Sequence, residues 1–128
     1  MGQLLADLAL LPDRIFCSTA VRARQTAELL VPASGYQGEI EFRDDLYLAP
    51  SWQLRETLRE LPDACAWVMI IGHNPGLEEF LQELTGEEEH LPTAALAQVE
   101  LNIPNWESLQ PSTRGKLLGL WRPKELDT

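Results

Sequence analysis

Cysteine and histidine are scarce in this sequence, which has two of each in 128 residues. Two cysteines, Cys17 and Cys65, cannot build a disulfide framework in a domain of this size, so we expect small buried residues in a reducing compartment. The spacing of His73 and His90 does not suit a metal site, and no motif indicates a cofactor. The amino terminus lacks a basic segment and a long apolar run, so we expect a cytoplasmic protein without a signal peptide or membrane span.

Basic residues are also few. The chain has 10 Lys and Arg against 20 Asp and Glu, which gives a formal net charge of −10. Such a chain should repel nucleic acid and anionic membrane surfaces, so we expect neither as a partner. An anionic ligand would have to be held by a local group of donors.

Most familiar catalytic signatures are absent. The sequence has no glycine-rich phosphate loop and no G-x-S-x-G nucleophile elbow. A cysteine phosphatase needs an arginine six residues after its nucleophile, and the sixth residue after Cys17 is Ala23. The turns between strands and helices therefore remain as the places where a site could lie.

One such turn joins the most apolar strand of the sequence to an amphipathic helix. Residues 68–71 (Val-Met-Ile-Ile) are typical of a buried strand, and residues 72–76 (Gly-His-Asn-Pro-Gly) predict the turn. The helix is indicated by apolar residues at i, i+3, i+4 and i+7, namely Leu77, Phe80, Leu81 and Leu84. Because His73 lies on this turn, before the positive end of the helix, the pattern predicts an anion site.

A second strand, turn and helix come earlier in the chain. Residues 14–17 predict a short strand, Ser18 and Thr19 a turn with an N-cap, and residues 20–30 a helix that ends before a loop at Pro32. This helix carries Arg22 in its first turn. A guanidinium matches phosphate oxygens and an imidazole can donate, accept or attack, so Arg22 and His73 together would suit a phosphoryl group. The alternatives are a surface ion pair for the arginine and a structural turn for the histidine.

The remaining pattern completes an α/β domain. It predicts a helix over residues 1–11, a strand over 39–42, a helix over 51–61, an antiparallel strand over 97–103 and a last strand over 116–121. This order predicts an α/β fold with a mixed sheet in one domain over residues 1–128. We expect the four tryptophans, at positions 52, 67, 106 and 121, to be core or loop anchors.

Four segments, in order along the chain, resemble the histidine phosphatase superfamily. Residues 18–28 (STAVRARQTAE) resemble its S-x-x-x-R-A-x-Q-T-A segment, and residues 72–76 (GHNPG) resemble its second-histidine motif. Residues 91–97 (LPTAALA) and 122–126 (RPKEL) are similar to the short SixA-type phosphohistidine phosphatases in particular. The resemblance implies the three-layer α/β/α fold of the phosphoglycerate mutase-like proteins, with a mixed, mainly parallel sheet.

The resemblance also implies covalent catalysis. In this superfamily a histidine in an R-H-G or R-H-A motif attacks phosphorus, while the residues that match Arg22 and His73 hold the phosphoryl oxygens. Ser18, Asn74 and Thr93 are further phosphate-binding candidates. Their alternative roles are to cap a helix, to shape a turn and to start a strand.

The sequence departs from the superfamily at the nucleophile. It contains no R-H-G or R-H-A, because its two histidines follow Gly72 and Glu89. The resemblance begins inside the first helix, so the first strand of the family has no counterpart here. We expect an amino-terminally incomplete histidine phosphatase domain that is inactive as given and that self-associates through its exposed sheet edge.

The general acid and the substrate are less defined. Asp44 and Asp45 lie where larger members of the superfamily place a carboxylic acid, with solvated loop charge as the alternative. A P–N bond to histidine has a good leaving group once it is protonated, which favours a phosphorylated protein histidine as substrate. The alternatives are a non-catalytic phosphate- or phosphoprotein-binding module and a phosphatase of small phosphomonoesters.

Overall fold

The computed structural model describes residues 11–72, 75–91 and 95–121. The strands in these ranges are β1 (Arg14–Ser18), β2 (Ile40–Arg43), β3 (Val68–Ile71), β4 (Leu96–Leu101) and β5 (Gly115–Trp121). The helices are α1 (Val21–Ser34), α2 (Ser51–Arg59) and α3 (Gly76–Thr85), with 3₁₀ turns at Asp44–Leu46 and Trp106–Ser108.

β1 is the central strand of a parallel sheet, with β2 on one side and β3 on the other. Cys17 lies opposite Phe42 of β2 and Ile71 of β3, so the carboxyl ends of the three strands lie at one edge. β4 and β5 form a separate antiparallel pair, with an irregular register between Gln98 and Val99. The sequence predicted one mixed sheet. The described strands form a parallel sheet and a separate antiparallel pair.

Alternate residues of β1 pack against helices on opposite faces of the sheet. Ile15 and Cys17 pack with Ala23 and Ala27 of α1, whose small side chains let the helix approach the strand closely. Phe16 points to the other face and packs in a core formed with α2 and α3. The sheet has a helical layer on each face, which confirms the three-layer α/β/α fold.

Helices α2 and α3 are joined through Glu83. Its carboxylate accepts hydrogen bonds from the Ser51 hydroxyl at 2.9 Å and from the Arg55 guanidinium at 2.7 Å. Arg55 is buried, so this ion pair offsets the cost of removing its charge from water. The predicted inner face of α3 is confirmed, with Phe80, Leu81 and Leu84 buried.

The helix predicted over residues 20–30 is longer in the structure. It continues through Pro32 to Ser34, where the sequence predicted a loop. A proline cannot donate to the carbonyl four residues earlier, so the last turn of α1 forms without that hydrogen bond. The Ser34 hydroxyl donates to the Val31 carbonyl at 2.7 Å, and Gly35, with φ of 85°, ends the helix in the left-handed region.

The tryptophans divide into anchors and exposed residues. The indole N–H of Trp106 donates to the Cys65 carbonyl at 2.6 Å, so this residue is a loop anchor as predicted. Trp52 and Trp67 are 58% and 48% exposed, so neither is a core residue. Trp52 lies on the outer face of α2, and Trp67 precedes β3, at the edge of the parallel sheet.

Two further predictions concern burial and membranes. Both cysteines are buried free thiols, as expected. β3 is less buried than its apolar sequence predicts, because only Ile71 is fully buried and the other three residues are half-buried. The helix predicted over residues 1–11 lies almost entirely outside the described residues. No helix within the described part of the chain is long and apolar enough to cross a membrane.

Candidate functional site

The carboxyl ends of β1 and β3 define the position of the site. Because Cys17 and Ile71 lie side by side, Ser18 and Gly72 follow at the same edge of the sheet. The chain then turns into α1 after Ser18 and into α3 after Gly72. Helices α1 and α3, which lie on opposite faces of the sheet, therefore both begin at this edge. The backbone N–H groups of a helix amino terminus favour an anion.

Ser18 is fully buried, and its hydroxyl is engaged in the turn. The Ser18 Oγ accepts a hydrogen bond from the Ala20 N–H at 3.1 Å. The N-cap position of α1 is Ala20, which has no side-chain capping bond, so the predicted N-cap at Ser18 and Thr19 is wrong. The hydroxyl accepts from the backbone N–H of the second residue after it. This local turn competes with helix capping.

Arg22 is an exposed cation at this edge that makes no hydrogen bond or ion pair within the described part of the chain. Other arginines differ in this respect. Arg14 pairs with Glu41, Arg43 with Asp45, Arg55 with Glu83 and Arg59 with Glu56. In a chain with two acidic residues for each basic one, an arginine without a carboxylate partner is available for a ligand. The surface ion pair that the sequence left open is not formed with any described residue.

Three of the predicted site residues, His73, Asn74 and Thr93, lie outside the described residues. The first two follow Gly72, at the carboxyl edge of the sheet. The segment that precedes Thr93 is held at the first turn of α3, where the Glu78 carboxylate accepts from the Leu91 N–H at 2.8 Å. His90 contacts the same carboxylate through Nδ1 at 2.8 Å. The described residues that flank these positions therefore lie at the amino-terminal end of α3. The roles of His73, Asn74 and Thr93 stay predictions.

Asp45 is bound to an arginine and is not positioned as an acid. Its carboxylate accepts from Nε of Arg43 at 3.0 Å and from a terminal nitrogen of the same guanidinium at 2.7 Å. These hydrogen bonds lower the pKa of Asp45 below its ordinary value. Asp45 is therefore ionised at neutral pH and has no proton to donate. The neighbouring Asp44 is exposed in the 3₁₀ turn.

The start of α3 is fixed by a contact that the sequence did not reveal. Gly76 lies so close to the segment before α2 that a Cβ atom on it would overlap the Ala49 carbonyl oxygen. The adjacent Leu48 has φ of 49°, a left-handed conformation that side chains other than glycine adopt at a cost, and it is exposed. In the sequence, Gly76 indicated only a turn, because close approach of two backbones leaves no local signal.

Sequence comparisons give distant relatives. No protein-family model matches the chain. The uncharacterized protein Rv1276c of Mycobacterium tuberculosis H37Rv is 26% identical over 96% of this chain and 80% of its own length. The uncharacterized protein ML1117 of Mycobacterium leprae is 27% identical over 58% of this chain and 44% of its own length.

Comparison of structures gives closer agreement. A structure of the protein histidine phosphatase SixA complexed with tungstate has a TM-score of 0.80 and 24% identity, over 98% of this chain and 80% of that chain. A candidate phosphohistidine phosphatase SixA from Agrobacterium tumefaciens has a TM-score of 0.77 and 28% identity, over 95% of this chain and 75% of that one. The chain has the fold of the SixA-type histidine phosphatases. The resemblance stated from its motifs is confirmed at the level of the fold.

Proposed function

We propose that this chain is a SixA-like phosphohistidine phosphatase domain whose ligand is phosphate carried by a histidine of another protein, and that the chain itself is inactive because it lacks the nucleophile. The observation that carries the proposal is the Arg22 guanidinium, which has no ion-pair partner among the described residues and lies at the edge where β1 and β3 end and two helices begin. The solved SixA structure is a complex with tungstate, a tetrahedral oxyanion of the same shape as phosphate. That complex supports a tetrahedral oxyanion as a ligand of this fold.

Each group in the proposed site has a distinct task. The Arg22 guanidinium presents a planar fork of N–H donors to two phosphoryl oxygens, and the amino termini of α1 and α3 add backbone donors and positive dipoles. His73 completes the clamp by donating to a third oxygen. These groups stabilise the charge on a phosphoryl group during transfer. Asn74 and Thr93 are further candidates to bind the phosphoryl group, and Ser18 supports the turn.

The clamp alone does not break a P–N or P–O bond. The superfamily uses a histidine in R-H-G or R-H-A as the nucleophile, and the 128 residues contain neither tripeptide. We therefore expect the chain as given to bind phosphate without turnover. This absence favours the second candidate function, a non-catalytic module that binds phosphate or a phosphoprotein.

The state of Asp45 bears on the choice between substrates. A phosphomonoester needs a proton donor for its alkoxide leaving group, whereas an imidazole leaving group needs less assistance. Because Arg43 holds Asp45 as a carboxylate, this residue supplies no such proton. The arrangement supports a phosphorylated histidine over a small phosphomonoester.

Calorimetric titration with tungstate and with phosphate tests the clamp. We expect Arg22→Ala to weaken binding by about 10- to 100-fold, the effect of losing a charge-assisted hydrogen bond of about 1.5 to 3 kcal/mol. Arg24→Ala is the matched control, because Arg24 lies on the same helix and its guanidinium lies over the ring of Phe42 at 5.1 Å. It removes the same charge and should change affinity less than twofold. Equal losses in the two variants would show that the site responds only to net charge.

A second experiment tests for turnover. A phosphohistidine peptide is incubated with the chain, and released phosphate is measured. We expect none above background. Turnover that disappears in His73→Ala would overturn the expected inactivity while supporting the assignment of the site.

A further inference from the structure

Exposed apolar side chains are concentrated at the carboxyl edge of the parallel sheet. Of the nine large apolar side chains that are exposed among the described residues, five lie where β1 and β2 end and the following helices begin. They are Val21, Phe42, Tyr47, Leu48 and Trp52. We call these five residues the apolar rim. Single exposed apolar residues are ordinary, whereas a group of them at one edge indicates an interaction surface.

Contacts connect the apolar rim to the starts of both helical layers. The Arg24 guanidinium lies 5.1 Å from the centre of the Phe42 ring, which joins α1 to the end of β2. Residues 44–50 then lead from β2 to α2, and the Ala49 carbonyl lies against Gly76 at the start of α3. The rim therefore borders the edge that holds Arg22.

Leu48 is the rim residue that folding explains least. It is 63% exposed, and its φ of 49° lies in the left-handed region, which is unfavourable for leucine. Asparagine or glycine adopts this conformation more readily and exposes less apolar surface to water. The backbone and the hydration of Leu48 both cost free energy in the isolated chain, so a contact outside the chain accounts for this residue best.

The rim has the composition of a protein interface. Three of its residues are aromatic, and Arg22 and Arg24 lie beside them without a carboxylate partner in the described part of the chain. Aromatic residues and arginine dominate the centres of interfaces. Burial of an aromatic side chain removes about 150–250 Å² from water, so three half-exposed rings still offer about 300 Å². That is about half of the 600 Å² that each partner buries in a weak, transient complex.

Charge around the rim defines the chemistry of the partner. Exposed carboxylates lie at its borders: Glu28 one turn after Arg24, Asp44 directly after β2, and Glu79 in the first turn of α3. Together with the net charge of −10, they would repel an acidic surface. The complementary surface is apolar, is flanked by lysine or arginine, and carries its negative charge as one phosphoryl group near Arg22.

We propose that the apolar rim is the docking surface for the phosphoprotein and takes an apolar, basic-flanked patch that adjoins the phosphorylated histidine. The identity of the partner rests on the proposed function, whereas the rim rests on the exposure and backbone of its own residues. Four of the five rim residues lie on helix starts and a loop, where no row of strand donors can pair with an extended chain. The partner therefore supplies side chains from a backbone that is hydrogen-bonded internally, such as a helix.

The probe is a synthetic helical peptide of about 20 residues with a hydrolysis-resistant phosphohistidine analogue at its centre. Leucines lie one turn to either side of the analogue, and lysines lie beyond them. The matched control peptide has glutamine in place of the leucines, with the same charge and the same phosphoryl group. We expect the leucine peptide to bind the 128-residue chain about 10-fold or more tightly than the glutamine peptide, by fluorescence anisotropy.

Two tryptophan variants test the location. Trp52→Ser should weaken binding of the leucine peptide by about 10- to 100-fold and leave the affinity for the glutamine peptide and for tungstate unchanged. Trp67→Ser is the matched control, because Trp67 is similarly exposed but precedes β3 and lies at the opposite edge of the sheet. It should leave binding of both peptides unchanged. Arg22→Ala should weaken both peptides by the same factor.

Leu48→Asn separates docking from folding. Asparagine tolerates the left-handed backbone, so the midpoint of urea unfolding should stay the same or rise. Binding of the leucine peptide should weaken by about 3- to 10-fold, since one exposed apolar contact is lost. A lower unfolding midpoint together with unchanged peptide binding would show that Leu48 serves the fold alone.

The outcomes distinguish the docking surface from the phosphoryl site. Equal affinity of the two peptides, or equal effects of Trp52→Ser and Trp67→Ser, would overturn the docking surface and leave the phosphoryl site standing. Unchanged tungstate and peptide binding in Arg22→Ala would overturn the phosphoryl site, while the rim would still be supported by an unphosphorylated leucine peptide that binds the parent chain more tightly than Trp52→Ser. Self-association that Trp52→Ser abolishes, without an effect on the peptide, would identify a second copy as the occupant and overturn the proposal.

Discussion

Cys17 lies on the central strand of the parallel sheet and is fully buried, with β2 on one side of its strand and β3 on the other. Burial raises the pKa of its thiol from 9.0 to about 11, and the nearby positive charge of Arg24 opposes the effect in part. The buried thiolate is disfavoured because the low-dielectric interior does not solvate its charge. Cys17 is thus an inert packing residue at neutral pH, and its protonation matters only in alkali.

This shift predicts that the folded state loses stability between about pH 9 and 11. The folded state keeps the proton in this range while the unfolded chain releases it, so stability is complete below pH 9 and falls as pH rises towards 11. The loss should be about 1 to 3 kcal/mol, measured by urea unfolding at pH 8 and pH 10.5. In Cys17→Ala this part of the pH dependence should be absent. The same loss in the variant and the parent would contradict the assignment to Cys17.

At the scale of secondary structure, the position of α3 depends on Gly76. Any side chain there would overlap the Ala49 carbonyl, so Gly76→Ala must move the start of α3 away from the segment before α2. We expect a loss of about 1 to 3 kcal/mol in the free energy of unfolding, the usual cost of forcing extra volume into a packed site. Tungstate affinity should fall as well, because the displaced helix terminus no longer points at the site.

Gly72→Ala is the control for this prediction. Among the described residues, a Cβ on Gly72 would meet just the Leu77 side chain, at 3.8 Å, which is an ordinary contact. Its effect on stability should stay within about 0.5 kcal/mol. Similar losses for the two variants, measured by urea unfolding, would show that Gly76 has no special steric role.

The elements with strong local periodicity were predictable from the sequence, and the relations between elements were not. The spacing of Leu77, Phe80 and Leu84 predicted α3, and alternation predicted β4. Pro32 indicated the end of α1 too early, because the local preference was overridden by packing and by Gly35. A pattern along one chain segment reports the face that is buried. It does not report what lies across from that face.

The candidate site also depends on relations between elements that the sequence does not report. The sequence named Arg22 as a site residue, but its lack of a carboxylate partner depends on where other elements lie. Some pairs are local, such as Arg43 with Asp45, and could be guessed from the sequence. Others join residues far apart, such as Arg55 and Glu83, which are 28 positions apart. The family resemblance indicated that the first strand of the family has no counterpart, but the cavity of about 600 Å³ lined by residues of β3 and β4 required the structure.

At the scale of the whole molecule, open strand edges and net charge act in opposite directions. The described structure leaves one edge of β3 and one of β4 unpaired beside an apolar cavity, and such edges favour association. The formal charge of −10 repels a second copy. Salt shortens the range of this repulsion from about 10 Å at 0.1 M to about 3 Å at 1 M.

We therefore predict that self-association of the chain increases between 0.1 and 1 M NaCl. Sedimentation velocity at several protein concentrations should show a larger share of dimers or higher species at the higher salt. A single monomer species at both salt concentrations would contradict the prediction.

The central position of β1 has a consequence for synthesis on the ribosome. Asp13, just before β1, accepts hydrogen bonds from the backbone of Ala66 and Trp67, and 54 positions separate it from Trp67. At a synthesis rate of about 5 to 20 residues per second, β3 is translated about 3 to 10 s after β1, and only then can the two strands pair. During that interval β1 can pair with β2 but not with β3, so one edge of an apolar strand stays open and should be bound by chaperones that hold nascent polypeptide.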